Sequence, residues 1–120
     1  MPKIVMIVED YADNREMMRV LIQHLGYNVV EAVDGNDAVE KTAYFHPDLI
    51  LMDLAMPVMD GVTATKLIRR NEGFDKVSII ALTGFGNTEF EKAIEAGFDN
   101  VLVKPLNIDD LKPLLNRYIA

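Results

Sequence analysis

Five polar side chains stand directly after apolar stretches of the chain, where they could act together chemically. They are Glu9, Asp10, Asp53, Thr83 and Lys104. Three carboxylates brought close would repel one another by about 1 kcal/mol per pair in water and about 4 kcal/mol at a lower effective dielectric. A bound cation would relieve that repulsion, so this pattern indicates a metal site.

The residue types also indicate which metal and which reaction. Oxygen ligands without His or Cys favour Mg²⁺ or Ca²⁺ over zinc. Because Mg²⁺ is typically held by one or two carboxylates plus a phosphate, Asp53 remains available as a nucleophile toward phosphorus. Thr83 could then hydrogen-bond a phosphoryl oxygen, and Lys104 could neutralise another. This set favours phosphoryl transfer over other reaction classes.

Five strand patterns alternate with five helical patterns. The strands are predicted at Lys3–Val8, Asn28–Ala32, Leu49–Met52, Ser78–Leu82 and Val101–Val103. The helices are predicted at Asp13–Leu25, at Asn36–Phe45, from the cap Asp60 to Arg70, from the capping-box spacing of Thr88–Glu91 to Gly97, and from Asn107 onward. The first, third and fourth strands are apolar almost throughout, which is typical of strands covered on both faces. The second is more mixed and suits an edge.

Strict alternation of this kind predicts an α/β fold, a single doubly wound parallel sheet with helices on both faces. At 120 residues the whole chain, 1–120, is expected to form one domain. Sites in such sheets lie beyond the carboxyl ends of the strands, which is where all five polar residues fall.

Composition narrows the remaining possibilities. A formal net charge of −7 disfavours nucleic acid and anionic membranes as partners. Cysteine is absent, which excludes disulfides and thiolate metal sites. The opening does not have the shape of a signal peptide, and no apolar run approaches the ~20 residues of a membrane helix. The expected location is the cytoplasm, without membrane insertion.

The run DLAMPVMDG, from Asp53 to Gly61, resembles the sequence around the phosphoacceptor of response-regulator receiver domains. Glu9-Asp10, Thr83 and Lys104-Pro105 fall where that family has its acidic pair, its hydroxyl residue and its lysine. The resemblance covers essentially the whole chain. It implies a flavodoxin-like fold with strand order 2-1-3-4-5.

The resemblance also implies roles for the residues. Asp53 would accept a phosphoryl group from a sensor histidine kinase or a histidine phosphotransfer protein, and the switch would act on a downstream protein. Asp10 and Asp53 would bind Mg²⁺ through their side chains, Glu9 through water and Ala55 through its backbone carbonyl. Thr83 and Lys104 would contact the aspartyl phosphate, with the Lys104-Pro105 bond often cis in this family.

Three positions depart from the family's pattern. Val101 stands where a Tyr or Phe is usual, so the switch is expected to operate without an aromatic rotor. Gly84-Phe85 follows the threonine in place of the common Ala or Ser. Pro113 lies within the last helical pattern, where proline costs about 3 kcal/mol unless the helix bends or starts late.

Two other functions remain open on the sequence alone. A Mg²⁺-dependent aspartyl-phosphate phosphatase would need a second acid two residues after the nucleophile, and that residue is Ala55. A receiver-like interaction module independent of phosphorylation would not need the polar set, which is intact. No output domain follows Ala120 in this sequence, so direct transcriptional control is not expected unless the chain is part of a larger protein.

Several further residues are given structural interpretations. Met17 is predicted in the core with Met6 and Met52. Asp60-Gly61 is interpreted as a turn and helix cap, and Arg69-Arg70 as charges that favour the helix dipole without needing a partner. His24 and His46 are expected on the surface.

Overall fold

The chain folds into alternating strands and helices around one parallel sheet. The computed structural model describes residues 2–56, 58–71, 73–84 and 87–119, without the side chains of residues 87–90. The strands are β1 (Ile4–Val8), β2 (Asn28–Ala32), β3 (Leu49–Asp53), β4 (Ser78–Thr83) and β5 (Asn100–Val103). The helices are α1 (Ala12–His24), α2 (Gly35–Phe45), α3 (Gly61–Arg70), α4 (Asn87–Ala96) and α5 (Ile108–Ile119). Each predicted strand is confirmed to within one residue at either end.

The sheet has the order β2-β1-β3-β4-β5, and every pair of neighbouring strands is parallel. This confirms the doubly wound α/β architecture and places β2 at an edge. The register sets Asp53 beside Leu82 and Thr83 beside Val103. The ends of β3, β4 and β5 therefore lie close together at one edge of the sheet.

Short polar side chains begin three of the helices. Asp34 accepts a hydrogen bond from the Asp37 amide at 2.8 Å, and Asp60 accepts one from the Thr63 amide at 2.8 Å. Asn107 likewise accepts one from the Asp110 amide at 2.9 Å. Each bond satisfies an amide that the first helical turn leaves without a partner, so the predicted caps at Asp60 and Asn107 are confirmed.

The fourth helix differs from the prediction at its start. It begins at Asn87, so Thr88 lies inside it and is not the cap residue. Helix ends fray over one or two residues, so the first helical residue need not directly follow the residue that has the capping pattern. The predicted end is confirmed, since Gly97 has φ +110°, a conformation that glycine adopts without strain.

Two layers of apolar side chains cover the sheet. Successive residues of β1 point to opposite faces, Val5 and Ile7 toward α1 and α5, Met6 and Val8 toward α2, α3 and α4. Burying one such side chain fully contributes about 1.5–3 kcal/mol. The prediction for Met17 is wrong: it is 45 % exposed, whereas Met18 is buried, because a step of one residue turns the helix by about 100°.

Aspartates fix the start of two strands at the edge opposite the polar set. Asp48, just before β3, accepts a hydrogen bond from the Ile4 amide at 2.8 Å. Asp99, just before β5, accepts one from the Ile79 amide, also at 2.8 Å. Each carboxylate satisfies an amide at the beginning of the neighbouring strand.

Arg69 has partners that its position at a helix end does not reveal. Its guanidinium donates to the carbonyl oxygens of Phe74, Asp75, Val77 and Gly97 and pairs with Asp99 at 3.0 Å. The interpretation of Arg69 as a helix-end charge without a partner is therefore wrong. The side chain joins α3 to the end of α4 and to the loop before β4.

The last helix accommodates Pro113 without a late start. It begins at Ile108, so the proline lies inside it and removes the amide that would bond the Asp109 carbonyl. Asp109 is exposed, and water can replace that bond. Within the described ranges, none of the helices has the length and apolar character needed to cross a lipid bilayer.

Candidate functional site

The carboxyl ends of four strands bring the predicted polar residues to one edge of the sheet. Glu9 and Asp10 follow β1, Asp53 and Thr83 are the last residues of β3 and β4, and Lys104 follows β5. Strands β1 and β3 are neighbours in the sheet. The chain continues from β1 to β2 on one side of this pair and from β3 to β4 on the other. Such a topological switch point leaves a crevice in which ligands bind.

Three carboxylates form a compact cluster in this crevice. One oxygen atom from each of Glu9, Asp10 and Asp53 lies within 4.8 Å of the other two. Glu9 and Asp53 are 2 % and 5 % exposed, whereas Asp10 is exposed. The cluster thus has a buried side formed by protein and an open side that solvent or a ligand can reach.

Lys104 neutralises part of this charge. Its ammonium Nζ lies 3.0 Å from Glu9 Oε2 and 3.0 Å from Asp53 Oδ2. Burial alone would lower the pKa of Lys104, but its hydrogen bonds to Asp53 and Glu9 and their negative charges outweigh that effect and raise the pKa. The lysine is therefore held as a cation between two buried acids.

The surroundings of Glu9 disfavour its charged form, whereas those of Lys104 favour its charged form. Burial raises the pKa of Glu9, and the hydrogen bond and charge of Asp53 raise it further, while Lys104 opposes both. The folded protein therefore disfavours the charged form of Glu9. A bound divalent cation would stabilise the protein by offsetting the cost of this buried anion.

Two residues of α1 that were not predicted as part of the site also hold Glu9. The Asn14 amide Nδ2 donates to Glu9 Oε1 at 3.3 Å, and Arg15 Nη1 donates to the Glu9 backbone oxygen at 2.9 Å. Their signal in the sequence is only their position, one helical turn after the acidic pair, where side chains point back toward the start of the helix.

Asp53 is oriented from its own side of the sheet. The Ala55 amide donates to Asp53 Oδ1 at 3.1 Å, and Lys104 contacts the other oxygen. The next residue, Leu54, donates its amide to the Leu82 carbonyl at 3.1 Å, which extends the pairing of β3 with β4. Both carboxylate oxygens of Asp53 therefore have a donor, and Ala55 is exposed beside them.

Thr83 and the end of β5 complete the crevice. Thr83 is buried, and its carbonyl accepts the Lys104 amide at 2.8 Å. The Lys104-Pro105 bond is cis. Val101 is partly buried against the core on the α4 side of the sheet. Phe85, which follows Gly84, lies outside the described residues.

The two histidines take no part in this site. His24 and His46 are exposed, as expected, and neither contributes to the acidic cluster. The ring of His46 packs against Phe74, with centroids 5.1 Å apart.

The fold and the site together define a class: a doubly wound α/β protein with an acidic, lysine-containing crevice at the switch point of its sheet. Residues 5–116 match the family model described as the response regulator receiver domain. The chain therefore belongs to the receiver domains of two-component signalling.

Curated relatives agree with this family. The chain is 42 % identical to hybrid signal transduction histidine kinase G of Dictyostelium discoideum over 95 % of its own length but only 3 % of the kinase. It is 32 % identical to the polar-differentiation response regulator DivK of Brucella ovis, over 100 % of this chain and 98 % of DivK.

Solved structures agree as well. The receiver domain of the sensor histidine kinase PA1611 from Pseudomonas aeruginosa has a magnesium ion coordinated in its active site cleft. It is 35 % identical, with a TM-score of 0.91 over 99 % of this chain and 98 % of that one. The receiver domain of Ssk1 from Saccharomyces cerevisiae, crystallised with the histidine phosphotransfer protein Ypd1, is 28 % identical, with a TM-score of 0.90 over 98 % of this chain and 88 % of that one.

Proposed function

We propose that Asp53 is the phosphoryl acceptor of this receiver domain, and that its phosphorylation changes the affinity for a downstream protein. The observation that carries the proposal is the position of Lys104 Nζ, 3.0 Å from both Asp53 Oδ2 and Glu9 Oε2. A fixed cation beside a buried carboxylate is suited to stabilise the charge that develops on a transferring phosphoryl group.

The donor set fits Mg²⁺. It consists of carboxylate oxygens, one from each of Glu9, Asp10 and Asp53, with two of the three residues buried and one open to solvent. Hard oxygen ligands with an open side suit a cation that retains several waters. In this proposal Asp10 and Asp53 would hold the ion through their side chains, Glu9 would hold it through water, and the Ala55 carbonyl would contribute a further ligand. Bound there, Mg²⁺ would neutralise negative charge on the phosphoryl oxygens.

The chain's own residues account for the transfer. A carboxylate oxygen of Asp53 forms a bond to phosphorus while the bond between phosphorus and the nitrogen of a phosphohistidine breaks, and the donor imidazole departs. Lys104 supplies a positive charge to one phosphoryl oxygen, and the Thr83 hydroxyl donates a hydrogen bond to another. Phosphate adds nearly two negative charges and three acceptor oxygens, which draws Thr83 inward and alters the neighbouring surface.

The donor in this proposal is a sensor histidine kinase or a histidine phosphotransfer protein. The Ypd1 complex of the related Ssk1 receiver domain supports a histidine phosphotransfer protein, and the similarity to a hybrid histidine kinase supports a sensor kinase.

The receiver domain spans residues 1–120 and works in the cytoplasm. It is not a turnover enzyme, because it catalyses only its own phosphorylation and dephosphorylation.

Labelling with acetyl phosphate and Mg²⁺ tests the proposal. Intact-mass measurement should show one phosphoryl group per chain, labile to hydroxylamine as an acyl phosphate is. Asp53→Asn should abolish the label, whereas Asp75→Asn, at an exposed aspartate outside the cluster, should retain it. Steady release of phosphate would indicate a phosphatase, and labelling that persists in Asp53→Asn would refute the assignment.

A further inference from the structure

The loop that joins β3 to α3 is closed at its base by a backbone hydrogen bond. It is described at Leu54–Met56 and Val58–Asp60, and it carries the Ala55 carbonyl. At its base the Gly61 amide donates to the Leu54 carbonyl at 3.2 Å, which closes the loop on itself. Ala55 therefore lies inside the closed loop, and its amide also donates to Asp53 Oδ1 at 3.1 Å.

Val58 adopts a conformation that its side chain disfavours. Its φ is +67°, in the left-handed region that β-branched residues rarely occupy. The side chain is 86 % exposed, so packing of the valine does not hold it there. The restraint must come from a contact made elsewhere in the loop.

Gly35 supplies such a restraint from a distant part of the chain. Its amide donates to the carbonyl oxygen of Met59, the residue after Val58, at 3.2 Å. A Cβ built on Gly35 would lie 2.4 Å from that oxygen and 3.0 Å from the Met59 carbonyl carbon. Both atoms are backbone, so they cannot move aside without moving the loop. Gly35 is itself fixed, as the first residue of α2 after the cap Asp34.

We propose that Gly35 is a positioning residue for phosphorylation at Asp53, an inference that rests on the function proposed above. By holding Met59, it keeps the β3–α3 loop in its strained conformation and the Ala55 carbonyl beside the acidic cluster. Any side chain at position 35 displaces Met59, lets Val58 relax, and moves Ala55 away from the Mg²⁺ site. Gly35 acts through the loop and makes no contact with the reacting groups in this proposal.

Gly35→Ala tests the inference. We expect Mg²⁺ affinity, measured by titration well below the melting temperature, to fall at least fivefold, and the rate of labelling by acetyl phosphate to fall with it. The amide signals of Asp53 and Ala55 should shift in NMR spectra of the metal-free protein, while those of β1 keep their positions. A purely structural role would lower the melting temperature without moving these signals.

A matched control separates positioning from loss of helix stability. Glu40→Gly weakens the same helix at an exposed site away from the loop, so its melting temperature should fall while Mg²⁺ affinity stays unchanged. Asp34→Ala loosens the start of α2 without adding atoms, and should weaken Mg²⁺ binding about twofold to threefold even if Gly35→Ala fails to fold.

The same measurements distinguish a failure of the inference about Gly35 from a failure of the proposed function. If wild-type protein binds Mg²⁺ and is labelled while Gly35→Ala and Asp34→Ala match it, the inference about Gly35 is overturned. If the wild type neither binds Mg²⁺ nor is labelled, the proposed function itself is wrong.

Discussion

Gly61 lies so close to Asp53 that a Cβ built on the glycine would stand 2.3 Å from the Asp53 carbonyl oxygen. The first residue of α3 thus packs directly against the backbone of the acidic residue at the end of β3. From the sequence, Asp60-Gly61 is predicted only as a turn and helix cap. The structure confirms that role and adds the close approach.

Gly61→Ala should therefore affect stability and phosphorylation together. Overpacking at a site of this kind costs about 1–3 kcal/mol of unfolding free energy, and displacement of the Asp53 backbone should reduce the yield of aspartyl phosphate. Urea unfolding and acetyl phosphate labelling measure the two effects. Thr63→Ala, at an exposed position on the same helix, should change neither. Normal labelling of Gly61→Ala would show that the contact has no bearing on the site.

Glu9→Gln should stabilise the metal-free protein increasingly as the pH rises. The pKa of Glu9 is raised above its usual 4.5 in the folded state by burial and then by Asp53. The contribution of Glu9 to stability is consequently fully present below that usual pKa and is lost as the pH rises through the folded pKa. At neutral pH we expect the variant to be more stable by about 1 kcal/mol, the scale of one close carboxylate repulsion in water.

Urea unfolding of the two metal-free proteins at several pH values measures this difference. The gap should be small near pH 4 and grow toward pH 7. A wild type that stays equally stable or more stable than Glu9→Gln at neutral pH would show that Lys104 fully compensates the buried charge.

Mg²⁺ should raise the melting temperature through the acidic cluster. A ligand at 100 times its dissociation constant stabilises the folded state by about 2.7 kcal/mol, which corresponds to roughly 5–15 °C for a domain of this size. Asp10→Ala should lose most of that shift, and Asp13→Ala, at an exposed acid of α1 outside the cluster, should keep it. Equal shifts in both variants would place the ion elsewhere.

Val58→Asn should stabilise the protein. A non-glycine residue in the left-handed region costs about 1–3 kcal/mol, and asparagine tolerates that region better than a β-branched residue does. The valine side chain is 86 % exposed, so little packing is lost. We expect a gain of about 0.5–1 kcal/mol in thermal or urea unfolding. Val20→Asn, at a 54 % exposed position in α1, should bring no such gain.

The lifetime of the phosphorylated form should depend on Ala55. This residue is exposed beside Asp53, and its methyl group cannot orient an attacking water by hydrogen bonding. We expect slow dephosphorylation in the wild type and faster decay, by several-fold, in Ala55→Asn and Ala55→Glu. Following the loss of label over time measures both rates. Unchanged decay in the two variants would remove Ala55 from the path of the water.

The strands and the convergence of the polar residues could be predicted from the sequence because both follow from local patterns. Apolar runs such as Leu49–Met52 are recognisable without knowledge of their neighbours, and parallel strands place their last residues at one edge. The contacts of Arg69 with Gly97 and Asp99 depend on α3 lying beside α4, which no short pattern encodes. The hydrogen bond from Asn14 to Glu9 depends on a side-chain conformation, and is equally invisible in the sequence.

The aspartates at the opposite edge of the sheet, Asp48 and Asp99, hold the starts of β3 and β5. Asp48 stands five residues before Asp53, and Asp99 stands five residues before Lys104. Each aspartate fixes one end of its strand, and at about 3.3 Å per residue the other end emerges about 16 Å away. Through β4, the register sets Asn100 level with Leu51, so β5 starts two residues further along the sheet than β3 does. Lys104 therefore lies just beyond the end of β3, where its ammonium contacts Asp53 at 3.0 Å. Inserting or deleting one residue in either strand would shift the end of that strand by about 3.3 Å. This shift exceeds the 3.0 Å that separates Lys104 Nζ from Asp53 Oδ2.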